Sequence, residues 1–261
     1  TGRIDITEAQ AKELGIHGDF VASVTKEIES IRKAYNCCGI LSRSQITNPV
    51  ALEKMRKALT SRVIVQIKIN PSTNEYIKIK SRWVVRGFMD RRDQLENFRC
   101  DAETVSDIGL RLISQIAANN NWPPRFYDFG CAFLQGDEYG SDQEKVFMDI
   151  PAMLRKPGNP YGFTEDSIAI CHKSLYGLKD APAQWRKKLR KILIQHGFTE
   201  TRTDSCVMVL LRDPKDRGIK PPKIPSYRDY QDVTEELRVP INEPGEILAV
   251  IGLHVDDAYL A

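Results

Sequence analysis

The sequence predicts an α+β fold, a small antiparallel sheet with helices packed on it. Three observations carry this. Strand-like apolar runs bounded by turn signals occur at residues 63–69 and 76–88, and a further apolar run spans Ile247 to Leu253. Two stretches, 19–35 and 182–193, repeat apolar residues at helical spacing. An Asp256-Asp257 pair directly after the last run marks the tip of a β-hairpin.

Taken in order, Phe20, Val21, Val24, Ile28, Ile31 and Tyr35 define one face of an amphipathic helix from about Asp19 to Tyr35. Val63 to Ile69 reads as a strand, Asn70-Pro71-Ser72-Thr73-Asn74 as a turn, and Tyr76 to Phe88 as the return strand. That hairpin is basic, with Lys78, Lys80, Arg82 and Arg86. Ser106 or Asp107 caps a helix that places Leu110, Ile113, Ile116 and Ala117 on one face and ends at Asn119-Asn120-Asn121. A strand-like, aromatic stretch with Asp128 inside it follows. A helix from about Pro182 turns Trp185, Leu189, Ile192 and Leu193 to a core and Arg186, Lys187, Lys188, Arg190 and Lys191 mostly elsewhere, with Gly197 as its stop. Residues 212–245 are rich in proline and charge and read as a long loop or mobile insertion.

A chain of 261 residues, 41% hydrophobic, can bury one sizeable core, or a main domain with a smaller lobe. The composition is that of a soluble globular protein: no apolar run approaches the roughly 18 to 20 residues that span a bilayer. The opening Thr1-Gly2-Arg3 is neither a signal peptide nor a transit sequence and lacks an initiator Met, which suggests a fragment of a longer polyprotein or gene model. The six cysteines are scattered without metal or redox spacing and read as reduced thiols of an intracellular protein. Net charge is only +3, yet Lys26 to Arg92 carries 15 Lys or Arg against 5 Asp or Glu, and Cys171 to Lys191 carries 7 against 1. Each stretch suits a phosphate backbone, or else forms a solvated basic face.

Paired aspartates at a tight turn can hold hard divalent cations through oxygen, although Asp-Asp is also an ordinary solvated turn. Asp128 strengthens the metal reading, because a carboxylate inside an apolar strand is costly to bury unless it is paired or metal-bound, so that it either caps a turn or faces a cation. Asp128, Asp256 and Asp257 therefore form a candidate three-carboxylate cluster.

Several stretches, in order, resemble the reverse transcriptase of Ty1/copia retrotransposons. Lys80-Ser81-Arg82-Trp83-Val84-Val85-Arg86-Gly87-Phe88 resembles the basic fingers motif, and Thr104-Val105 with Leu110-Arg111-Leu112 the helix before the first catalytic strand. Asp128 to Gly136 is similar to Asp-Val-x-x-Ala-Phe-Leu-x-Gly, with Phe129 in place of Val, and Val146 to Pro151 to the short segment after it. Lys173 to Trp185 is nearly Lys-Ser-Leu-Tyr-Gly-Leu-Lys-Gln-Ala-Pro-x-x-Trp, Gly197-Phe198 and Asp204 continue the pattern, and His254-Val255-Asp256-Asp257 stands where the family has Tyr-Val-Asp-Asp. The resemblance runs from about Lys26 to the end.

It implies the fingers and palm of a right-hand polymerase, with a small antiparallel palm sheet and the thumb absent: residues 1–25 as an N-terminal flank, 26–122 as a fingers-like region, and 123–261 as a palm-like region truncated after the second catalytic motif. The implied activity is RNA-directed DNA synthesis by two Mg²⁺ ions, or Mn²⁺, on Asp128, Asp256 and Asp257. Lys80, Arg82, the amides of Cys131 and Ala132, Phe133, Tyr176 and Gly177 would hold a deoxynucleoside triphosphate, with Phe133 either excluding a 2′-hydroxyl or simply filling the core. Arg86, Lys179, Arg186 and Lys187 would meet the nucleic acid. Implied partners are an RNA or DNA template with primer and the remaining polyprotein segments (thumb, RNase H, integrase), with no membrane, in cytoplasmic particles.

Three departures stand out. His254 replaces Tyr, which reads either as a tolerated aromatic-like swap or as a partly charged imidazole that disturbs metal binding at mildly acid pH. Asp180 replaces Gln and puts a carboxylate beside the substrate-side loop, where it would repel a nucleotide. The 212–245 stretch is longer than the family's connection. Two other readings are an inactive remnant that at most binds nucleic acid and a metal-dependent nuclease.

Overall fold

The structure, a computed structural model, describes residues 2–95, 98–140, 145–212 and 246–261; all of the expected insertion except Arg212 lies outside the described residues. In chain order the first elements are β1 (Gly2–Asp5), α1 (Glu8–Glu13), α2 (His17–Glu29), β2 (Cys38–Ser42), α3 (Pro49–Arg56), β3 (Ser61–Ile69) and β4 (Tyr76–Val85). There follow α4 (Asp107–Asn119), β5 (Arg125–Asp128), β6 (Phe147–Asp149), α5 (Ala152–Arg155) and β7 (Ser167–Cys171). The last are α6 (Ala181–Gln195), β8 (Phe198–Glu200), β9 (Val207–Leu211), β10 (Ile247–His254) and β11 (Asp257–Leu260). Every strand pairing named below is antiparallel, so the architecture is the expected mixture of helices and antiparallel sheet.

The chain divides into two compact units, each built from two stretches: unit 1 from Thr1–Cys100 and Phe133–Ala181, unit 2 from Asp101–Ala132 and Pro182–Ala261. This cuts across a division at residues 25 and 122. The N-terminal stretch is structural in unit 1, because β1 pairs with β3 along its length and α1 begins in a Thr7–Gln10 capping box. The helix capped by Ser106 belongs instead to unit 2.

Unit 1 holds two three-stranded sheets, β1-β3-β4 and β2-β7-β6. The basic hairpin forms as the pattern requires, with Val63 opposite Trp83 and Gln66 opposite Lys80. Alternation along β4 buries Ile79, Ser81, Trp83 and Val85 and exposes Lys78, Lys80 and Arg82. The Trp83 indole donates to Ser61 Oγ at 2.8 Å and meets Phe163 edge-on, so a large side chain is buried without an orphaned N–H. Helix α2 packs on β4 through Phe20, Val24 and Ile28. Its expected last turn is instead a π-helical turn, Ser30–Ala34, in which the Tyr35 amide reaches back to the Ser30 carbonyl at 2.9 Å.

β4 stops at Val85, three residues short of the expected Phe88. The Val85 amide donates to the Tyr176 carbonyl (2.8 Å), and Gly87–Met89 turns away as a 3₁₀ segment. Two glycines permit this backbone-to-backbone approach. A Cβ on Gly87 would lie 1.8 Å from the Gly177 carbonyl oxygen, and one on Gly177, at φ +90°, would lie 2.1 Å from the Val85 oxygen. Beside them Arg92 is buried between two carboxylates: its Nη2 lies 2.8 Å from Asp90 and 3.1 Å from Asp180, and Phe98 and Tyr139 flank the guanidinium. Asp180 therefore does not face a nucleotide as a repelling charge; it is buried and neutralised by Arg92, which corrects the sequence expectation.

Unit 2 is a five-stranded sheet in the order β5-β11-β10-β9-β8. Ser106 caps α4 by accepting from the Gly109 amide (3.0 Å), and Ile113 of the helix together with Val105, just before the cap, lies against Gly252 of β10. Helix α6 buries Trp185 and Leu189, as its apolar stripe predicts.

Gly177→Ala is expected to lower stability by about 3 kcal/mol, because neither the φ nor the Val85 carbonyl can yield. Gly15→Ala, at φ +70° with open space around it, is expected to cost only about 1 kcal/mol. Chemical denaturation of both variants checks the contrast.

Candidate active site

The site is built by strand register in unit 2. β5 and β11 pair so that Asp128 stands directly opposite Asp257, and Phe126 opposite Tyr259. β10 and β11 form a hairpin with His254 opposite Asp257, joined by the two-residue turn Val255-Asp256. The three aspartates thus lie on adjacent backbone positions of one sheet end, although more than a hundred residues of sequence separate Asp128 from the other two. Asp128 and Asp257 are exposed and Asp256 is half-buried. The expectation that Asp128 needs a partner to offset burial is corrected here: all four residues of β5 are exposed.

The turn is strained and firmly held. Val255 has φ +52°, a left-handed conformation that a β-branched residue adopts at a cost of about 1–2 kcal/mol. The carbonyls of both turn residues are engaged: the Trp185 indole Nε1 donates to Val255 O at 3.0 Å, and the Phe129 amide donates to Asp256 O at 2.8 Å. The rings of Phe129 and Trp185 meet edge-on, 5.4 Å apart.

A groove of about 510 Å³ opens beside the carboxylates; Asp128, Asp257 and the exposed His254 line it together with Val105, Leu110 and Gly252. Two residues along from the Asp128–Asp257 pair, Phe126 and Tyr259 stack at 4.8 Å on the same face. The donor set, carboxylate oxygen alone, is the one a hard divalent cation takes, and the register sets its backbone positions together. The side chains as placed do not close on a metal: among the described residues no group of three His, Cys, Asp or Glu is gathered to hold one.

After β5 the chain turns at Cys131, exposed at φ +56°. The Ala132 amide is turned inward and donates to the Phe129 carbonyl at 3.1 Å, so it closes this turn and does not point outward as expected.

The other expected residues lie in unit 1 or on α6. Lys80 and Arg82 share the exposed face of β4, and the Arg82 guanidinium sits over the Tyr176 ring, 5.6 Å from its centre. Tyr176 in turn meets Phe133 edge-on at 6.2 Å, which places Arg82, Tyr176 and Phe133 in one cluster with Gly177 next in sequence. Arg86 is exposed just beyond β4, and Lys179 pairs with Asp93 at 2.6 Å, an exposed bridge that holds the Asp93 carboxyl below the usual range. On α6, Lys187 is exposed. Arg186 is turned inward and donates to the Ser205 carbonyl at 2.7 Å, which corrects its expected role at the nucleic acid.

Two features escaped the sequence reading. Nothing in the string Met89-Asp90-Arg91-Arg92 distinguishes the buried arginine from its exposed neighbour. Asp204, in sequence only one position of a longer pattern, ties the approach to β9 to the start of α4, accepting from the Ser106 amide (2.9 Å), Ser106 Oγ (2.8 Å) and the Cys206 amide (2.9 Å). The Thr203-Asp204-Ser205 string carried the available signal, since Asp side chains cap local backbone amides.

The chain is an α+β protein whose acidic β-hairpin is register-paired to a third aspartate-bearing strand, and comparison with known proteins places it more closely. A profile of the family described as Reverse transcriptase (RNA-dependent DNA polymerase) matches residues 45–214. The chain belongs to that family. It is 30% identical over 141 residues to the Retrovirus-related Pol polyprotein from transposon RE2 of Arabidopsis thaliana, covering 54% of this chain and 9% of that protein. It is 27% identical over 158 residues to the corresponding polyprotein from transposon TNT 1-94 of Nicotiana tabacum, covering 60% and 11%. The Transposon Ty1-DR4 Gag-Pol polyprotein of Saccharomyces cerevisiae is 30% identical over 129 residues, covering 49% and 7%. The matched region spans about a tenth of the length of these relatives.

Burial pushes the Asp204 carboxyl up, and the hydrogen bonds from Ser106 and Cys206 outweigh that, leaving its pKa below the usual carboxylate range. A lowered folded-state pKa stabilises the fold fully above the unfolded value near 4, and the contribution is lost as pH falls through the folded pKa. Asp204→Ala is therefore expected to cost about 1–2 kcal/mol at pH 7 and progressively less below pH ~4, read from urea midpoints across that range.

Proposed function

We propose that this chain is the fingers and palm portion of a Ty1/copia-type RNA-directed DNA polymerase that extends a primer 3′-hydroxyl with deoxynucleotides. The observation that supports this most directly is the register that sets Asp128 opposite Asp257 with Asp256 in the adjoining turn. Asp128, Asp256 and Asp257 are the residues that would hold two Mg²⁺ ions, with Mn²⁺ as a substitute. The chemistry such ions would supply there is neutralisation of the triphosphate and of the charge that develops on the attacking and leaving oxygens.

The remaining work falls to the chain's own side chains. Lys80 and Arg82 offer exposed cations to triphosphate oxygens, where charge-assisted bonds are strong, and the Cys131 amide stands at an exposed turn. Phe133, held by Tyr176, presents a ring that leaves no room for a 2′-hydroxyl, and Tyr176 with Gly177 forms the surface beside the incoming base. Arg86 and Lys187 meet template or primer phosphates, so binding falls steeply with salt. Sequence choice is left to base pairing. Template with primer, nucleotide and the other polyprotein segments are the partners of this reading.

One observation favours the second reading, an inactive remnant: the three carboxylate side chains are not gathered in the arrangement seen. Primer extension on an RNA template with deoxynucleotides and Mg²⁺ separates the two. The polymerase reading expects extension that falls by more than about 100-fold in Asp256→Ala, the loss of several kcal/mol of charge stabilisation. No extension supports the remnant, and template cleavage without nucleotides supports a nuclease. Phe133→Val is expected to admit ribonucleotides while deoxynucleotide addition persists.

A further inference from the structure

We propose that Trp185 is a positioning residue for the acidic turn, acting through its indole N–H. The turn needs such a device. Val255 is held at φ +52°, and a two-residue turn carrying a β-branched residue in that region relaxes unless its surroundings over-determine it. The two backbone carbonyls at the tip are fixed from outside the hairpin, Val255 O by Trp185 Nε1 (3.0 Å) and Asp256 O by the Phe129 amide (2.8 Å).

Trp185 takes part in both restraints. Its N–H makes the first bond, and its ring packs edge-on against Phe129, the residue whose backbone makes the second. Trp185 is 2% exposed, so its bond is shielded from competing water and its ring cannot swing away without opening a cavity. It projects from the first turns of α6, a fifteen-residue helix, which gives the donor a rigid base. A core tryptophan needs only apolar neighbours and any acceptor for its N–H. Here the acceptor is the residue immediately before Asp256, so rotation about this turn and the direction of the Asp256 and Asp257 side chains are coupled to the indole.

The test is Trp185→Phe in the full chain, which keeps an aromatic ring in the pocket and deletes the donor. Amide hydrogen exchange of residues 254–258 is expected to quicken about tenfold, the worth of one buried hydrogen bond, while exchange in β9 and α4 stays unchanged. If the substituted chain does not fold, the unsubstituted chain gives the answer. Its Trp185 indole proton, assigned by ¹⁵N labelling, must exchange at least about tenfold more slowly than an indole open to solvent. Unchanged exchange at 254–258, or an unprotected indole proton, overturns the proposal. The role matters to catalysis only if the polymerase reading holds. In that case Trp185→Phe lowers kcat for nucleotide addition and leaves KM for the nucleotide unchanged. A chain that never extends a primer but shows the exchange effect refutes the polymerase reading and leaves the positioning role standing.

Discussion

The antiparallel pairing of β5 with β11 is the constraint on which the candidate chemistry rests. Side chains along paired strands repeat with a period of two, so a slip of one residue would take Asp128 away from Asp257 and turn it to the other face. Strand β5 is only four residues long and exposed throughout, so burial of its own side chains does little to fix that register. The anchors lie on either side: the stacked rings of Phe126 and Tyr259, each two residues from the carboxylate on its own strand, and the Phe129 amide on the Asp256 carbonyl, one residue beyond Asp128. A cross-strand aromatic pair contributes roughly 0.2–1 kcal/mol, and with a backbone hydrogen bond beside it, it fixes the position of a strand that its own burial would leave free.

Unit 1 shows the same economy in a different form. Its nucleotide-facing residues in the proposed function, Arg82, Phe133 and Tyr176, come from three separate stretches of sequence, brought together because the strand end at Val85 and the loop at Tyr176-Gly177 meet backbone to backbone. The glycine pair makes room for that meeting. The buried Asp90–Arg92–Asp180 group ties the end of the same loop, through Asp180, to residues 90–92. A buried ion group of this kind contributes little net stability over an apolar replacement, but removing one partner strands a charge at a cost of about 3–5 kcal/mol. Such a group specifies one arrangement of the loop more than it strengthens the fold.

What was legible in the sequence follows from what has a local signal. The basic hairpin, the Ser106 cap, the stripe of α6 and the acidic hairpin were all readable, because period, turn residues and capping residues are set within a few positions of one another. The end of β4 was misplaced because what stops it is a carbonyl some ninety residues away, at Tyr176, and apolar Phe88 continued the pattern. Asp180 was misread for a similar reason, since a carboxylate beside a substrate loop has one meaning when exposed and another when Arg92 covers it. Arg186 sat among exposed basic neighbours and gave no sign that it turns inward to Ser205. The three aspartates themselves were legible through family resemblance and a metal-site argument, and the register that relates them came only from the sheet.

The most direct test of this account is Mn²⁺ binding to the full chain by electron paramagnetic resonance, with Asp128→Asn and Asp256→Asn as comparisons and Asp93→Asn, an exposed carboxylate in the other unit, as control. If strand pairing sets the carboxylates to act together, each of the first two substitutions weakens binding by about tenfold or more and the control does not. Equal Mn²⁺ affinity in the parent chain, Asp128→Asn and Asp256→Asn would contradict it.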